Sequence, residues 1–204
     1  MMRNILCFGD SNTWGYNPVT KERYSDNVRW TGILQKKLEC ADVRILEEGL
    51  CGRTTIFEDR IRSGRCGINS IERVFENNNH IDSVIIMLGT NDCKSYYKNT
   101  ARDIAKGMEQ CIERILKYVS ADKILLISPI HLGKNVWREE YDPEFDLASV
   151  EVSKGLKKEY YKISKKHNVN FLAASDYVKP SLEDQEHLNV AGHKRLAEAI
   201  YQYI

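Results

Sequence analysis

A serine, a histidine and a carboxylate occur in contexts that suit nucleophilic chemistry. Ser11 stands in the segment Gly9-Asp10-Ser11, and Asp184 precedes His187 by three residues. A serine hydroxyl is a weak nucleophile until a base accepts its proton, and histidine suits that role because its pKa lies near neutrality. The spacing lets one turn or helical segment bring the carboxylate and the imidazole to one side. We therefore predict Ser11 as nucleophile and His187 as general base, with Asp184 fixing the imidazole tautomer.

Acyl transfer also requires hydrogen-bond donors for the oxyanion of its tetrahedral intermediate. Asn91, in the segment Gly89-Thr90-Asn91-Asp92, offers a carboxamide N–H, and Gly52 offers a backbone N–H in a glycine-containing turn. The backbone N–H of Ser11 supplies a third donor, so we predict an oxyanion hole of Ser11, Gly52 and Asn91. Each segment alone is also typical of a turn or a helix N-cap. All of these segments occur in one chain, in an order that a single fold would bring to the same place, and this favours a functional site.

Short apolar runs recur along the chain and predict the strands that position these residues. They are Ile5–Phe8, Val43–Leu46, Val84–Leu88, Ile124–Ile127 and Val169–Leu172. Runs that are apolar throughout are typical of strands covered on both faces. Their alternation with helical segments predicts an α/β fold, a three-layer α/β/α sandwich with a central five-stranded parallel sheet in flavodoxin-like order. Ligands bind outside the carboxyl ends of such strands, where the polar segments lie.

Segments between the strands have the periodicity of amphipathic helices. They are Trp30–Cys40, Ala101–Val119, Leu156–His167 and Val190–Ile204. Leu132–Leu147 is a long region without such a pattern, and a loop of that length in a compact domain is often functional. We expect it to select the substrate together with Trp14 and His131, for which packing or a plain loop position is the alternative.

The polar segments resemble the four sequence blocks of the SGNH (GDSL-like) hydrolase family, in the family's order and over nearly the whole chain. The blocks are Gly9-Asp10-Ser11, Gly52, Gly89-Thr90-Asn91-Asp92 and Asp184-x-x-His187. The resemblance implies the same nucleophile, oxyanion donors, acid and base as the residue types do. It implies no metal and no cofactor.

The sequence context is similar to the bacterial arylesterase and acyltransferase branch of that family. That branch includes oligomeric enzymes that pass acyl groups to alcohols or peroxide, so the resemblance leaves a homo-oligomer open. Glu47 is a departure, since many members carry Asn near this block. Gly49 competes with Gly52 for the oxyanion role, and we favour Gly52 because Thr54 follows it as in the family pattern. The G-x-S-x-G elbow of the α/β-hydrolases is absent from the sequence.

Composition narrows the class of protein. The chain has 204 residues, which favours one domain spanning 1–204, and 30 Lys and Arg balance 29 Asp and Glu. A net charge of +1 lacks the excess of positive charge that is typical of proteins that bind nucleic acid. No stretch is long and apolar enough for a bilayer span or a signal peptide, so we expect a cytoplasmic protein with no membrane partner. The six cysteines form no C-x-x-C pair, which fits reduced thiols and no zinc site.

We predict a serine esterase that hydrolyses small acyl or aryl esters through an acyl-enzyme and can also transfer the acyl group. The alternatives are a carbohydrate O-acetylesterase with the same triad, or a flavodoxin-like binding module with an inactive site. His193 is a second histidine near the predicted base. Because Val190, not a carboxylate, stands three residues before it, we interpret His193 as structural or capping.

Overall fold

Parallel strands form the centre of the computed structural model, which describes residues 2–78 and 80–204 apart from the side chain of Cys40. The strands pair in the order β2-β1-β3-β4-β5. They are β1 (Arg3–Gly9), β2 (Val43–Gly49), β3 (Ser83–Met87), β4 (Ile124–Ser128) and β5 (Asn170–Ala173). All pairs are parallel, and Gly9 at the end of β1 lies beside Gly49 and Met87. The predicted five-stranded sheet in flavodoxin-like order is confirmed.

Helices cover both faces of this sheet. They are α1 (Ser11–Trp14), α2 (Trp30–Leu38), α3 (Ile68–Asn77), α4 (Ala101–Ile115), α5 (Leu147–His167) and α6 (Val190–Tyr201). Leu6 and Phe8 of β1 enter the core under α3, α4 and α5, whereas Ile5 and Cys7 enter the core under α2 and α6. Because both faces of β1 are buried, its sequence is apolar throughout. The three-layer prediction is confirmed.

The helices differ from the predicted ones in several places, and α2 ends at Leu38 rather than at the predicted Cys40. Helix α3 was not predicted, and α5 begins at Leu147 rather than at Leu156. A capping box starts α5: Asp146 Oδ1 accepts a hydrogen bond from the Ser149 N–H at 2.7 Å, and the Asp146 N–H donates to Ser149 Oγ at 3.1 Å. Helices α4 and α6 end at Ile115 and Tyr201, short of the predicted Val119 and Ile204.

The cysteines in the described part of the chain are free thiols, and three of them belong to the cores. They are Cys7, Cys51, Cys66, Cys93 and Cys111. Cys7 and Cys111 are fully buried and Cys93 nearly so, as small core residues are. The sixth, Cys40, lies outside the described side chains. Across the described ranges, no helix combines the length and apolarity needed to cross a bilayer.

Candidate active site

Ser11, His187 and Asp184 lie in one hydrogen-bonded chain at the carboxyl edge of the sheet. Ser11 is the first residue of α1, directly after β1. Its Oγ lies 2.8 Å from His187 Nε2, and His187 Nδ1 lies 2.6 Å from Asp184 Oδ2. With the Nδ1–H donating to the carboxylate, Nε2 is free to accept the serine proton. This arrangement lets His187 take the proton of the Ser11 hydroxyl as that hydroxyl attacks a carbonyl carbon.

Asp184 holds both the backbone and the ring of His187. Its Oδ1 accepts hydrogen bonds from the N–H groups of Glu186 at 3.0 Å and His187 at 2.9 Å, while its Oδ2 faces the imidazole. Burial alone would raise the pKa of Asp184, but the hydrogen bond and charge of His187 outweigh it and hold that pKa below its usual value. Asp184 therefore stays ionised while it orients the base.

Asn12 joins the nucleophile's helix to the histidine segment. Its side-chain Oδ1 accepts a hydrogen bond from the Leu188 N–H at 2.9 Å, and its backbone carbonyl accepts one from Trp30 Nε1 at 3.0 Å. Asn12 is buried. Because Asn12 follows Ser11 and Leu188 follows His187, this bond fixes the spacing between Ser11 and His187. Sequence reasoning did not assign Asn12 a role, since its partner lies far away in the chain.

Two predicted oxyanion donors, Gly52 and Asn91, line the same cavity as Ser11. Gly52 has a φ of +83°, a left-handed conformation that favours glycine. The Asn91 carboxamide donates one N–H to the Arg53 carbonyl at 3.2 Å, which leaves its second N–H for a ligand. The competing Gly49 ends β2 and packs against the Trp14 backbone. The structure thus brings Gly52, rather than Gly49, to the cavity.

A buried arginine, absent from the sequence predictions, supports the Gly52 turn. The Arg53 guanidinium lies 4.2 Å above the Phe8 ring, and its Nη1 donates to the carbonyls of Gly9, at 3.0 Å, and Glu48. Burial lowers the pKa of Arg53 to about 10, so it remains charged at neutral pH. Arg53 therefore ties the end of β1 to the turn that carries Gly52. Its role depends on tertiary contacts that a single sequence does not display.

The cavity at Ser11 has a volume of about 200 Å³, and five charged residues are among those that line it. The residues that line it are Ser11, Tyr16, Cys51, Gly52, Arg62, Arg65, Asn91, Lys94, Asp142, Glu186 and His187. The ring of Tyr16 packs on the His187 imidazole with centroids 4.3 Å apart. Sequence reasoning identified neither Tyr16 nor the five charged side chains as parts of the site.

Trp14 and His131, the two tentative pocket residues, do not lie in that lining. The Trp14 ring packs under the Arg23 guanidinium at 5.6 Å and lies 6.4 Å from the Tyr16 ring. His131 lines a different cavity, of about 470 Å³, together with Gln185. The loop of Leu132–Leu147 does reach the active cavity, through Asp142.

His193 does not line the cavity at Ser11. It is fully buried, and its Nδ1 accepts a hydrogen bond from the Trp30 N–H at 3.3 Å, at the first residue of α2. Burial lowers the pKa of His193 to about 3, so the ring is neutral. His193 therefore satisfies an orphan N–H at a helix start.

Comparisons with known proteins give the family. The model of the GDSL-like lipase/acylhydrolase family matches residues 5–200. Est24, a carbohydrate acetylesterase from Sinorhizobium meliloti, is 33% identical with a TM-score of 0.88, and the match covers 98% of this chain and 97% of that one. The native M. smegmatis aryl esterase is 32% identical with a TM-score of 0.88 and the same coverage. A putative arylesterase from Agrobacterium tumefaciens is 27% identical, again with a TM-score of 0.88 and the same coverage.

No curated protein sequence matches the chain. The family match nevertheless spans nearly the whole chain. The structural matches to Est24 and to the M. smegmatis aryl esterase likewise cover nearly the whole of both chains. The resemblance seen in the sequence blocks is confirmed. The chain belongs to the GDSL-like lipase/acylhydrolase family, the SGNH hydrolases, and is a carboxylic ester hydrolase.

Proposed function

We propose that the protein hydrolyses esters of short acyl groups through an acyl-enzyme formed on Ser11. The observation that carries the proposal is the continuous hydrogen-bonded chain from Asp184 through His187 to Ser11, with spacings of 2.6 and 2.8 Å. A serine within hydrogen-bonding reach of a carboxylate-oriented histidine is the arrangement that activates a hydroxyl for acyl transfer.

The reaction follows from these groups in two halves. Ser11 Oγ attacks the ester carbonyl as His187 Nε2 takes its proton, and the oxyanion receives hydrogen bonds from Asn91, Gly52 and the Ser11 backbone. The C–O bond to the alcohol breaks as His187 returns the proton to the leaving oxygen. Water then attacks the acyl-enzyme with His187 again as base, which releases the acid and restores Ser11.

The dimensions and lining of the cavity support short acyl groups. A volume of about 200 Å³ walled by five charged side chains would leave a long alkyl chain against polar groups, which is unfavourable. The same lining supports a second candidate, the deacetylation of carbohydrates, because hydroxyl-rich alcohols can exchange hydrogen bonds with charged side chains. Acyl transfer is the variant in which an alcohol replaces water in the second half.

Two measurements test this proposal. Labelling by a fluorophosphonate, lost in Ser11→Ala, separates an active serine hydrolase from an inactive binding module. A panel of p-nitrophenyl esters of increasing acyl length should show rates that fall beyond the shortest chains, and acetylated sugars should release acetate if the second candidate holds. Absence of both labelling and turnover in folded wild-type protein contradicts the proposal. Ester formation with added alcohol measures the transfer branch.

A further inference from the structure

Glu186 places a buried carboxylate on the wall of the active cavity without a hydrogen-bond donor. The residue is 6% exposed and lines the cavity. Among the residues that the structure describes, its carboxylate oxygens accept no hydrogen bond, and its one ion-pair contact is with His187 Nδ1 at 3.8 Å. A buried carboxylate that lacks donors is costly, and burial together with the neighbouring carboxylates raises the pKa of Glu186 to about 7. A ligand that brings positive charge into the cavity would remove that cost.

Two further groups beside Glu186 suit a cationic ligand. Asp142 adds a second carboxylate to the same lining. The Tyr16 ring, packed on His187 at 4.3 Å, adds an aromatic surface that also borders the cavity. Carboxylates and an aromatic face together are the chemistry that binds ammonium groups in proteins.

The cations in the lining are largely neutralised by their own partners. Arg62 Nη2 lies 2.6 Å from Glu144 Oε2, and Arg62 Nε lies 2.9 Å from Asp59 Oδ2. Lys94 pairs with the same Glu144. Of the three cations in the lining, Arg65 therefore remains to balance the negative charge of Asp142 and Glu186. Arg65 itself donates hydrogen bonds to the carbonyls of Cys51 and Ser63.

The local charge around Tyr16 agrees with an excess of carboxylates. Burial raises the pKa of Tyr16, and the charges of Asp184, Glu186 and Asp142 raise it further. Negative charge stabilises the neutral phenol in this way, and it stabilises a bound cation by the same Coulomb attraction.

The geometry of the triad indicates which part of the substrate meets Glu186. The leaving alcohol takes its proton from His187 Nε2, so the alcohol portion lies beside the imidazole ring. Glu186 and Tyr16 both contact that ring, at 3.8 Å and at a centroid distance of 4.3 Å. We propose that the site selects esters whose alcohol part carries an ammonium group, held by Glu186, Asp142 and the Tyr16 ring. This substrate class rests on the proposed esterase function.

The experiment compares two esters of the same shape that differ in charge. Acetylcholine and 3,3-dimethylbutyl acetate present a quaternary nitrogen and a quaternary carbon at the same position. Wild-type kcat/KM at low ionic strength should favour acetylcholine by about tenfold, the size of one cation contact in a partly desolvated site. Glu186→Gln, which removes the charge and keeps the shape, should abolish most of that preference. Glu183→Gln is the matched control, because Glu183 is exposed in the same segment, and it should keep the wild-type ratio.

Each outcome bears on the proposal. Equal kcat/KM for the two esters in wild-type protein, or a preference that Glu186→Gln leaves intact, overturns it. If Glu186→Gln does not fold by its melting curve, Asp142→Asn must lower the same ratio for the proposal to stand. Hydrolysis of p-nitrophenyl acetate by wild-type protein is measured alongside. Its absence contradicts the esterase function itself, whereas its presence without charge preference contradicts the substrate class alone.

Discussion

Asn91 offers its carboxamide to the cavity from the turn that follows β3. One N–H is held by the Arg53 carbonyl at 3.2 Å, so the side chain is oriented before substrate arrives. Such a donor matters most when negative charge develops on the carbonyl oxygen, and its loss typically costs about a hundred- to a thousand-fold in kcat. Asn91→Ala should lower kcat by that factor with little change in KM, and Asn91→Asp should be at least as harmful because its charge opposes the oxyanion.

Steady-state kinetics and a melting curve on the same sample check this prediction. The alternative is that Asn91 only shapes the turn. In that case Asn91→Ala would lower the melting temperature, and the folded fraction would turn over at nearly the wild-type rate.

The charge of Glu186 also bears on the pH dependence of catalysis. Burial lowers the pKa of His187, but the carboxylates of Glu186 and Asp184 outweigh burial and raise it above its usual value. His187 must be neutral to act as base, so kcat/KM falls as the pH falls through that pKa. Glu186→Gln removes one of the carboxylates that raise it. The acid limb should therefore move to lower pH.

A profile of kcat/KM against pH for p-nitrophenyl acetate, with Glu183→Gln as control, measures the shift. An acid limb of Glu186→Gln that stays in place, or moves to higher pH, would show that Glu186 does not act on the base. The charges of Asp142 and Lys94 also shift the pKa of Glu186, so neither of these two residues is substituted in these variants.

Among individual residues, the sequence indicated the candidate triad and Asn91 but not the side chains that surround them. Ser11, Asn91, Asp184 and His187 are residue types with chemistry of their own, placed after predicted strands or before the last helix. Glu186 stands between two of them, yet an acid in that position is equally typical of a solvated turn. Arg53, Asn12 and Tyr16 act through neighbours distant in the chain, and Asn12 bonds a residue 176 positions away.

The hydrogen bond between Asn12 and Leu188 connects α1 with the segment that precedes α6. Asn12→Ala removes this hydrogen bond, so the distance between Ser11 and His187 is no longer fixed by it. We expect a loss of about 1–2 kcal/mol of stability and a fall in kcat of roughly ten- to a hundredfold, because small misplacements of reacting groups slow catalysis strongly.

Asn189→Ala is the matched control for this variant. Asn189 Oδ1 accepts the Gly192 N–H at 2.9 Å and caps α6, so its loss should also cost about 1 kcal/mol. It makes no contact with Ser11 or His187 among the described hydrogen bonds, so kcat should stay near the wild-type value. Equal kcat for the two variants, at matched losses of melting temperature, would show that Asn12 acts on stability alone.

The loop of Leu132–Leu147 reaches the cavity through an ion-paired anchor. Glu144 pairs with Arg62 and Lys94, and its carbonyl accepts the Ser95 N–H at 2.8 Å. Glu144→Gln weakens the pairing of two cations that line the cavity. We expect it to change relative kcat/KM across a panel of esters that vary in acyl and alcohol, measured against Glu140→Gln in the same loop.

Shortening the loop is the less informative change. Val136 and Phe145 are buried in the core under α4 and α5, so a deletion would remove core packing as well as the cavity wall. An unchanged preference profile in folded Glu144→Gln would indicate that the loop does not select substrates through this anchor.

The two helices that the sequence analysis missed or began late differ in kind. Helix α3 carries apolar residues at helical spacing, Ile68, Ile71, Val74 and Phe75, so its signal was present in the sequence. In the first turns of α5, by contrast, Val150 is the one large apolar side chain that is buried; Ser149 and Ser153 are buried beside it, and Ser153 Oγ accepts the Leu132 N–H at 3.0 Å. Small polar residues that pack closely give no hydrophobic stripe, so the predicted helix began late.

The carboxyl and amino edges of the parallel sheet carry side chains of different chemistry. Ser11, Gly52 and Asn91 follow the carboxyl ends of β1, β2 and β3 and meet at one cavity. This gathering follows from strand direction alone, which is why the fold and the edge that carries the site could be predicted together. What strand direction cannot give is the charge of the cavity walls, since Arg62, Arg65 and Asp142 come from irregular segments.

The opposite edge carries a group of residues with metal-ligand chemistry. Within residues 2–78 and 80–204, potential ligand atoms of Glu109, Glu113 and His167 lie within 4.8 Å of one another. His167 ends α5 just before β5 begins, at the amino edge of the sheet and away from Ser11. The Glu109 carboxylate already pairs with Lys166 at 2.9 Å and with His167 at 2.7 Å. A metal ion there would have to displace the lysine ammonium.

Chelation of metal ions should therefore leave ester hydrolysis unchanged. The proposed chemistry uses Ser11, His187 and Asp184, which meet at the carboxyl edge of the sheet, whereas the Glu109 group lies at the amino edge. We expect equal kcat/KM for p-nitrophenyl acetate after incubation with EDTA or with buffer, and equal values for His167→Ala, which removes a ligand of the Glu109 group. A loss with EDTA that added zinc restores would contradict the prediction. If EDTA lowers activity, a His167→Ala variant with equally low activity would place the metal at the amino edge. Full activity of that variant would place the metal elsewhere.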